Sequence, residues 1–120
     1  MTGIRFREGQ PSDRDAILEL RAAVFPDLDQ EKQKADFWQW EFADSYAGPA
    51  RIFIAVAPDD RIAGHIAFVP QRYSVAARTV NGALAVDAMV HPQHRRQNVF
   101  SRLTSFAASE IGHDFALVTA

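Results

Sequence analysis

The segment Val90-His-Pro-Gln-His-Arg-Arg-Gln-Asn-Val-Phe-Ser-Arg-Leu103 constrains this chain more than any other. It reads as the end of a strand, a tight polar loop and the first turns of an amphipathic helix. A strand that feeds a helix in this way opens a β-α-β crossover, so at least one pair of strands runs parallel. The same geometry points the unpaired N–H groups of the helix, and the positive end of its dipole, at whatever sits in front of them. An anion suits that position, usually a phosphate. Arg95, Arg96 and Arg102, in or beside the loop and first turn, add to the preference, although the loop contains no glycine.

The rest of the chain supplies the sheet. Residues Gly3 to Arg7 alternate as a short strand does. Pro11-Ser12-Asp13-Arg14-Asp15 then opens a helix, with Ser12 expected as N-cap and Asp15 as a weak capping-box acid. Ile17, Leu20 and Val24 line one face of it, and Pro26 stops it. A second helix is expected from Asp29 to about Tyr46, carrying Phe37-Trp38-Gln39-Trp40-Glu41-Phe42 and ended by Gly48-Pro49. From Arg51 to Ala57, Ile52, Ile54 and Val56 alternate with Phe53, Ala55 and Ala57, the pattern of a strand covered on both faces. Pro58-Asp59-Asp60-Arg61 has the composition of a hairpin turn. Ile62 to Val69 returns from it and continues toward Val75, the chain turns at Ala76 to Arg78, and Thr79 to Val90 forms a long strand. The next helix places Phe100, Leu103, Ala107 and Ile111 on one stripe, with Gly112 as C-cap. Asp114 to Ala120 begins a further apolar strand. The order β-α-α-β-β-β-α-β predicts an α/β (α+β) mixed sheet, an antiparallel meander with one crossover, in a single domain over residues 1–120.

Composition narrows the function. A chain of 120 residues, 48% hydrophobic and 23% charged, suits one compact domain. Its net charge of -2 gives no reason to expect nucleic acid as a partner. Only Lys32 and Lys34 are lysines among its 13 basic residues, a bias that suits bidentate anion contacts but equally reflects base composition. The absence of cysteine excludes disulfides, thiolate metal sites and a cysteine nucleophile. No apolar run approaches membrane-spanning length and Met1 to Arg7 lacks a signal-peptide core, so no membrane partner and a cytoplasmic location are expected.

Asp87 interrupts the apolar run Leu84-Ala85-Val86-Asp87-Ala88-Met89-Val90, on a face expected to be shared with Ala85 and Met89. An unpaired carboxylate in such a setting is harder to ionise, which suits a general base; the alternative is a structural carboxylate bonded to an arginine or to loop amides. His91 and His94 straddle Pro92 with no carboxylate or cysteine nearby, so no metal is expected. His65 reads as a core or pocket residue, and His113 as a group at the negative end of the last helix. Phe37, Trp38, Trp40 and Phe42 read first as core and second as the wall of a ligand pocket. Glu41 and Asp44 read as solvated carboxylates that could also attract an amine.

The element order and the loop together resemble the GCN5-related N-acetyltransferase (GNAT) superfamily, whose members transfer an acyl group from acyl-CoA to an amine. There a strand ends in V-x-P-x-x-R-G-x-G-x-G/A, and Val90, Pro92 and Arg95 match. Arg96 stands where a glycine is common, Asn98 at the first motif glycine and Phe100 at the second small residue. A bacterial subgroup carries phenylalanine there, as in Val99-Phe100-Ser101-Arg102-Leu103, with a W-x-W segment like Trp38-Gln39-Trp40 and a strand like Ala85 to Pro92. The likeness covers the chain from about Ile4 onward.

The resemblance implies acetyl-CoA as cosubstrate, with no metal. Ala88, Met89 and Val90 would pair with the pantetheine arm. The amides of Arg95, Arg96, Gln97, Asn98, Val99, Phe100 and Ser101 would hold the pyrophosphate; Asp87 stands as the candidate catalytic base, with the structural carboxylate as its alternative. Asn98 is expected to take the left-handed turn, and Phe100 to pack under the helix against the sheet. Arg96 gives up the flexibility of glycine and offers a charge-assisted contact to phosphate. Weakened CoA binding is the expectation. The family fold continues with another helix and two strands, and often a tyrosine that protonates the leaving thiolate. Tyr46 and Tyr73 lie too early in the order for that role. The chain therefore reads either as an N-terminal fragment of a longer enzyme or as a short form whose exposed strand edge pairs with a second copy, giving a homodimer. Three functions follow. The first is an N-acetyltransferase acting on a small-molecule or peptide amine by direct attack on the thioester. The second is a degenerate or truncated non-catalytic domain that binds CoA weakly or a protein partner. The third is an unrelated module that binds a phosphorylated small molecule.

Overall fold

The computed structural model describes residues 3–27 and 47–120. The expected second helix, with Trp38, Trp40, Phe37, Phe42, Glu41 and Asp44, and Tyr46 after them, lies outside the described residues. Five strands form one sheet in the order β1 (Arg5–Glu8), β2 (Arg51–Val56), β3 (Ile62–Val75), β4 (Arg78–Val90), β5 (Leu117–Thr119). The first four are antiparallel to their neighbours, and β5 runs parallel to β4. Helix α1 (Arg14–Val24) covers one face and α2 (Val99–Ile111) the other.

β2 shows why both faces are needed. Ile52, Ile54 and Val56 pack with Ile17 and Leu20 of α1, while Phe53 packs with Leu103, Ala107 and Ile111 of α2. Ala55 and Ala57 join Val99 on the same side as Phe53. Each large side chain fully buried in these layers, such as Ile17, Phe53 or Leu103, contributes about 1.5–3 kcal/mol. The seat of α2 is set by Gly64: a Cβ there would come within 3.0 Å of Val99 Cγ1 and 3.4 Å of the Met89 carbonyl oxygen.

Several local expectations change. Ser12 is not the N-cap of α1. Pro11–Asp13 form a 3-10 turn first, and Asp13 takes the capping role there: its carboxylate accepts from the Gln10 N–H at 2.7 Å and from both Arg7 terminal nitrogens at 2.9 and 2.8 Å. The Arg7 contact holds the Asp13 carboxyl below the usual carboxylate range. Helix α1 ends at Val24, ahead of Pro26, and α2 ends at Gly112, whose φ of 56° continues no helix. The turn between β3 and β4 uses Ala76 and Ala77, both with positive φ, as a two-residue hairpin of the primed type demands. β5 is three residues long, shorter than the expected run from Asp114 to Ala120, and pairs only with Gly82, Ala83 and Leu84.

Ala85, Asp87 and Met89 do not share one face: the Asp87 carboxylate and Met89 meet α1, while Ala85 meets α2. Between His65 and Ala67 the register slips: His65 pairs with Met89 and Ala67 with Val86, so β4 carries one extra residue. This bulge turns Met89 and Val86 toward the α1 core, while Ala85 stays with the α2 core.

Candidate acyl-CoA site at the N-terminus of α2

The loop after β4 is built by local bonds. The His91 N–H donates to the Ala63 carbonyl at 2.8 Å and extends the β3–β4 ladder by one residue. Pro92–His94 then make a 3-10 turn, in which His91 Nδ1 accepts from the Gln93 N–H at 3.1 Å. Arg95 folds back, its Nε donating to the Val90 carbonyl at 3.3 Å. Arg96 and Asn98 follow with φ of 70° and 57°. Asn98 is the N-cap of α2, and its side chain makes no capping bond. The first helical bond runs from the Arg102 N–H to the Asn98 carbonyl at 3.0 Å. The helix therefore offers no acceptor to the N–H groups of Val99, Phe100 and Ser101, which point forward with the positive end of the dipole.

In front of them lies a cavity of about 350 Å³ lined by Val90, His94, Arg95, Arg96, Asn98, Val99, Phe100 and Ser101. The two arginines and the helix end give it the chemistry of an anion site. Along β4 the same site gains an open edge. β5 stops at the level of Leu84, so no strand among the described residues pairs with the outer edge from Ala85 to Val90.

A family model described as the acetyltransferase (GNAT) domain matches residues 5–116. The chain belongs to the GNAT acetyltransferase family. Solved structures share the fold. An Enterococcus faecalis protein described as a probable N-acyltransferase superposes with a TM-score of 0.78 at 11% identity, over 95% of this chain and 27% of that one. A GNAT family acetyltransferase from Staphylococcus aureus gives 0.69 at 13% identity, over 99% and 85%. A Trypanosoma brucei acetyltransferase gives 0.67 at 18%, over 96% and 80%. No curated protein sequence matches the chain.

The GNAT motif gains a physical reading here. The residues in left-handed backbone, Arg96 and Asn98, are those standing where the family's glycines stand. Of the ten residues expected to contact cofactor, Val90, Arg95, Arg96, Asn98, Val99, Phe100 and Ser101 line the cavity. Ala88 is exposed on the strand, and Gln97 stands outside the cavity wall. The Met89 side chain is in the α1 core, so only its backbone faces the open edge.

Phe100 corrects the expected stripe. It is 48% exposed, and the buried stripe is Val99, Leu103, Ala107 and Ile111. Spacing of four places Val99 under the helix, and the next residue is turned by about 100° toward the cavity rim. Arg102 also departs: it lies over the Phe6 ring at 4.9 Å and lines a neighbouring cavity with Asn98, Ser101 and Ser105.

The sequence reading weighed His94 only as a metal ligand and gave it no part in the anion site. Its ring lines the anion cavity and packs edge-on against His91 at 6.0 Å, with Nδ1 buried and no hydrogen-bond partner among the described residues. The i, i+3 spacing held the signal: it is the spacing that a 3-10 turn stacks. Among the described residues no group of three or more histidines and acids could hold a metal ion, and no helix is long and apolar enough to cross a membrane.

Asp87 pairs with Arg21 of α1, the arrangement of the structural alternative. His65 is fully buried, and burial pushes its imidazole below the usual histidine value.

Proposed function

We propose that this chain is an acetyl-CoA-dependent N-acetyltransferase domain whose acceptor is a small-molecule or peptide amine, acting in the cytoplasm. One observation carries the reading: left-handed Asn98 turns the first-turn amides of α2 into a cavity that also holds Arg95 and Arg96, at the end of a strand whose outer edge no described strand pairs beyond Leu84. The residues present fit a pyrophosphate in that cavity and an extended amide-bearing arm along residues 85–90. Bound there, acetyl-CoA would supply an activated acyl group for direct attack by an amine. The residues of the chain bind and orient: the α2 amides and arginines neutralise phosphate charge, and the β4 backbone fixes the arm.

Isothermal titration with CoA and with adenosine bisphosphate tests the reading. Both should bind, CoA more tightly, since only CoA spans cavity and edge. Absence of heat at millimolar ligand overturns it. A second reading, a non-catalytic domain that binds CoA weakly or a protein partner, draws on the replacement of motif glycines by Arg96 and Asn98 and on the exposed Leu117 and Val118 of β5. Thiol release from acetyl-CoA across an amine panel separates the two: release above the hydrolytic background supports the enzyme, and binding without release supports the second reading.

A further inference from the structure

The β4 bulge is held from two sides. Two steps along β3, from His65 to Ala67, span three along β4, from Met89 to Val86. Asp87 sits in the surplus with φ of 52°, a left-handed conformation that is costly for a residue with a Cβ, least so for Asp and Asn. His65, 0% exposed, lies with Nδ1 2.8 Å from the Asp87 carbonyl oxygen. A carbonyl only accepts, so the ring donates from Nδ1. Arg21, 2% exposed, is ion-paired through Nη2 with Asp87 Oδ2. The backbone is gripped from β3 and the carboxylate from α1.

The bulge decides where the end of β4 faces. Because of it, Met89 enters the α1 core and Val90 faces the α2 side, where it lines the anion cavity. Without the extra residue every side chain beyond it would change face. The bulge also lies on the stretch of β4 beyond its pairing with β5, where backbone groups can bond an extended ligand as a strand would.

We propose that the Arg21–Asp87 ion pair is a latch that sets the β4 bulge and thereby aligns the 85–90 edge and Val90 with acyl-CoA, which makes Asp87 a positioning residue and not the general base. The inference rests on the acyl-CoA reading above. A base must reach the proton it removes, whereas the Asp87 carboxylate is engaged by a guanidinium that comes from the helix packed on the far side of the sheet from the anion cavity.

The test compares Arg21→Met, Arg21→Lys, Asp87→Asn and the double variant Arg21→Met with Asp87→Asn. CoA affinity is read by calorimetry, and amide exchange at residues 85–90 by NMR without ligand. Asparagine keeps the left-handed tendency of position 87, so Asp87→Asn removes the charge and spares the backbone preference. Arg21→Met and Asp87→Asn should each weaken CoA binding about tenfold, equivalent to about 1.4 kcal/mol. The double variant should be no weaker than Arg21→Met alone, because Asp87→Asn acts on the same ion pair. Amides 85–90 should exchange faster in the same variants, and Arg21→Lys should recover part of both readouts. A base role gives the opposite: Asp87→Asn loses kcat with CoA affinity unchanged, and Arg21→Met does not reproduce it. That result overturns the latch. Wild-type exchange at 85–90 in folded variants overturns it as well, and still decides if the unmodified protein binds no CoA, which would refute the acyl-CoA reading separately. If Arg21→Met does not fold, Asp87→Asn and Arg21→Lys carry both readouts.

Discussion

The β4 bulge and the loop before α2 make the same backbone departure and support it differently. At the bulge, left-handed Asp87 is held by two buried side chains, Arg21 and His65. In the loop, left-handed Arg96 and Asn98 are exposed, and the Asn98 side chain makes no capping bond. Where the fold over-determines a conformation, the residue type serves the scaffold. Where it does not, a ligand can complete the bonds, which is what a phosphate in front of α2 would do.

Substitution by glycine breaks the comparison most sharply. Asp87→Gly relieves φ but takes the carboxylate away from the buried Arg21, and should cost about 2–4 kcal/mol, somewhat less than a fully buried pair because Asp87 is 28% exposed. Arg96→Gly relieves the same strain with no buried partner to lose, and should gain about 1 kcal/mol. Urea midpoints measure both; equal signs would abolish the distinction. A second contrast lies within α2. Leu103→Ala should lose about 2–5 kcal/mol as a core cavity. Phe100→Ala should stay within about 0.5 kcal/mol while weakening CoA binding. A large stability loss at Phe100 would return that ring to the core.

The pH dependence separates the two regions on a smaller scale. Burial lowers the His65 pKa in the fold, so the unfolded chain binds the extra proton first as pH falls. Stability should be full above about pH 6.5 and decline below it, a slope that His65→Gln should flatten. A slope that persists in that variant would remove His65 as its source. Asp13 acts at lower pH with the same sign. Its lowered pKa adds stability above about pH 4, lost as the pH falls further. Thermal denaturation at stepped pH measures both.

What was legible followed from periodicity. β2, β3, β4 and α2 stand where alternation and helical spacing put them, because those patterns record which face is buried. The left-handed turn at Asn98 was legible because few residue types tolerate it. The rest depended on tertiary partners. Nothing local marks the extra residue at Asp87, since His65 and Arg21 lie 22 and 66 positions away. Ser12 lost its cap role to Asp13 because Arg7, on a separate strand, recruits that carboxylate. Phe100 was placed one position off the stripe because it lies three residues before Leu103 and Val99 lies four before, both helical spacings, and Val99 is the one that meets Gly64.

Gly64 thereby acts as a spacer gauge. Val99 is at once the first helical residue of α2, a wall of the anion cavity and the side chain that would meet a methyl at position 64. The width of the cavity is thus calibrated from inside the sheet, by a residue that touches no ligand and works through what it lacks. A single added carbon there would wedge the helix outward and detune the mouth of the cleft while every binding group remained in place.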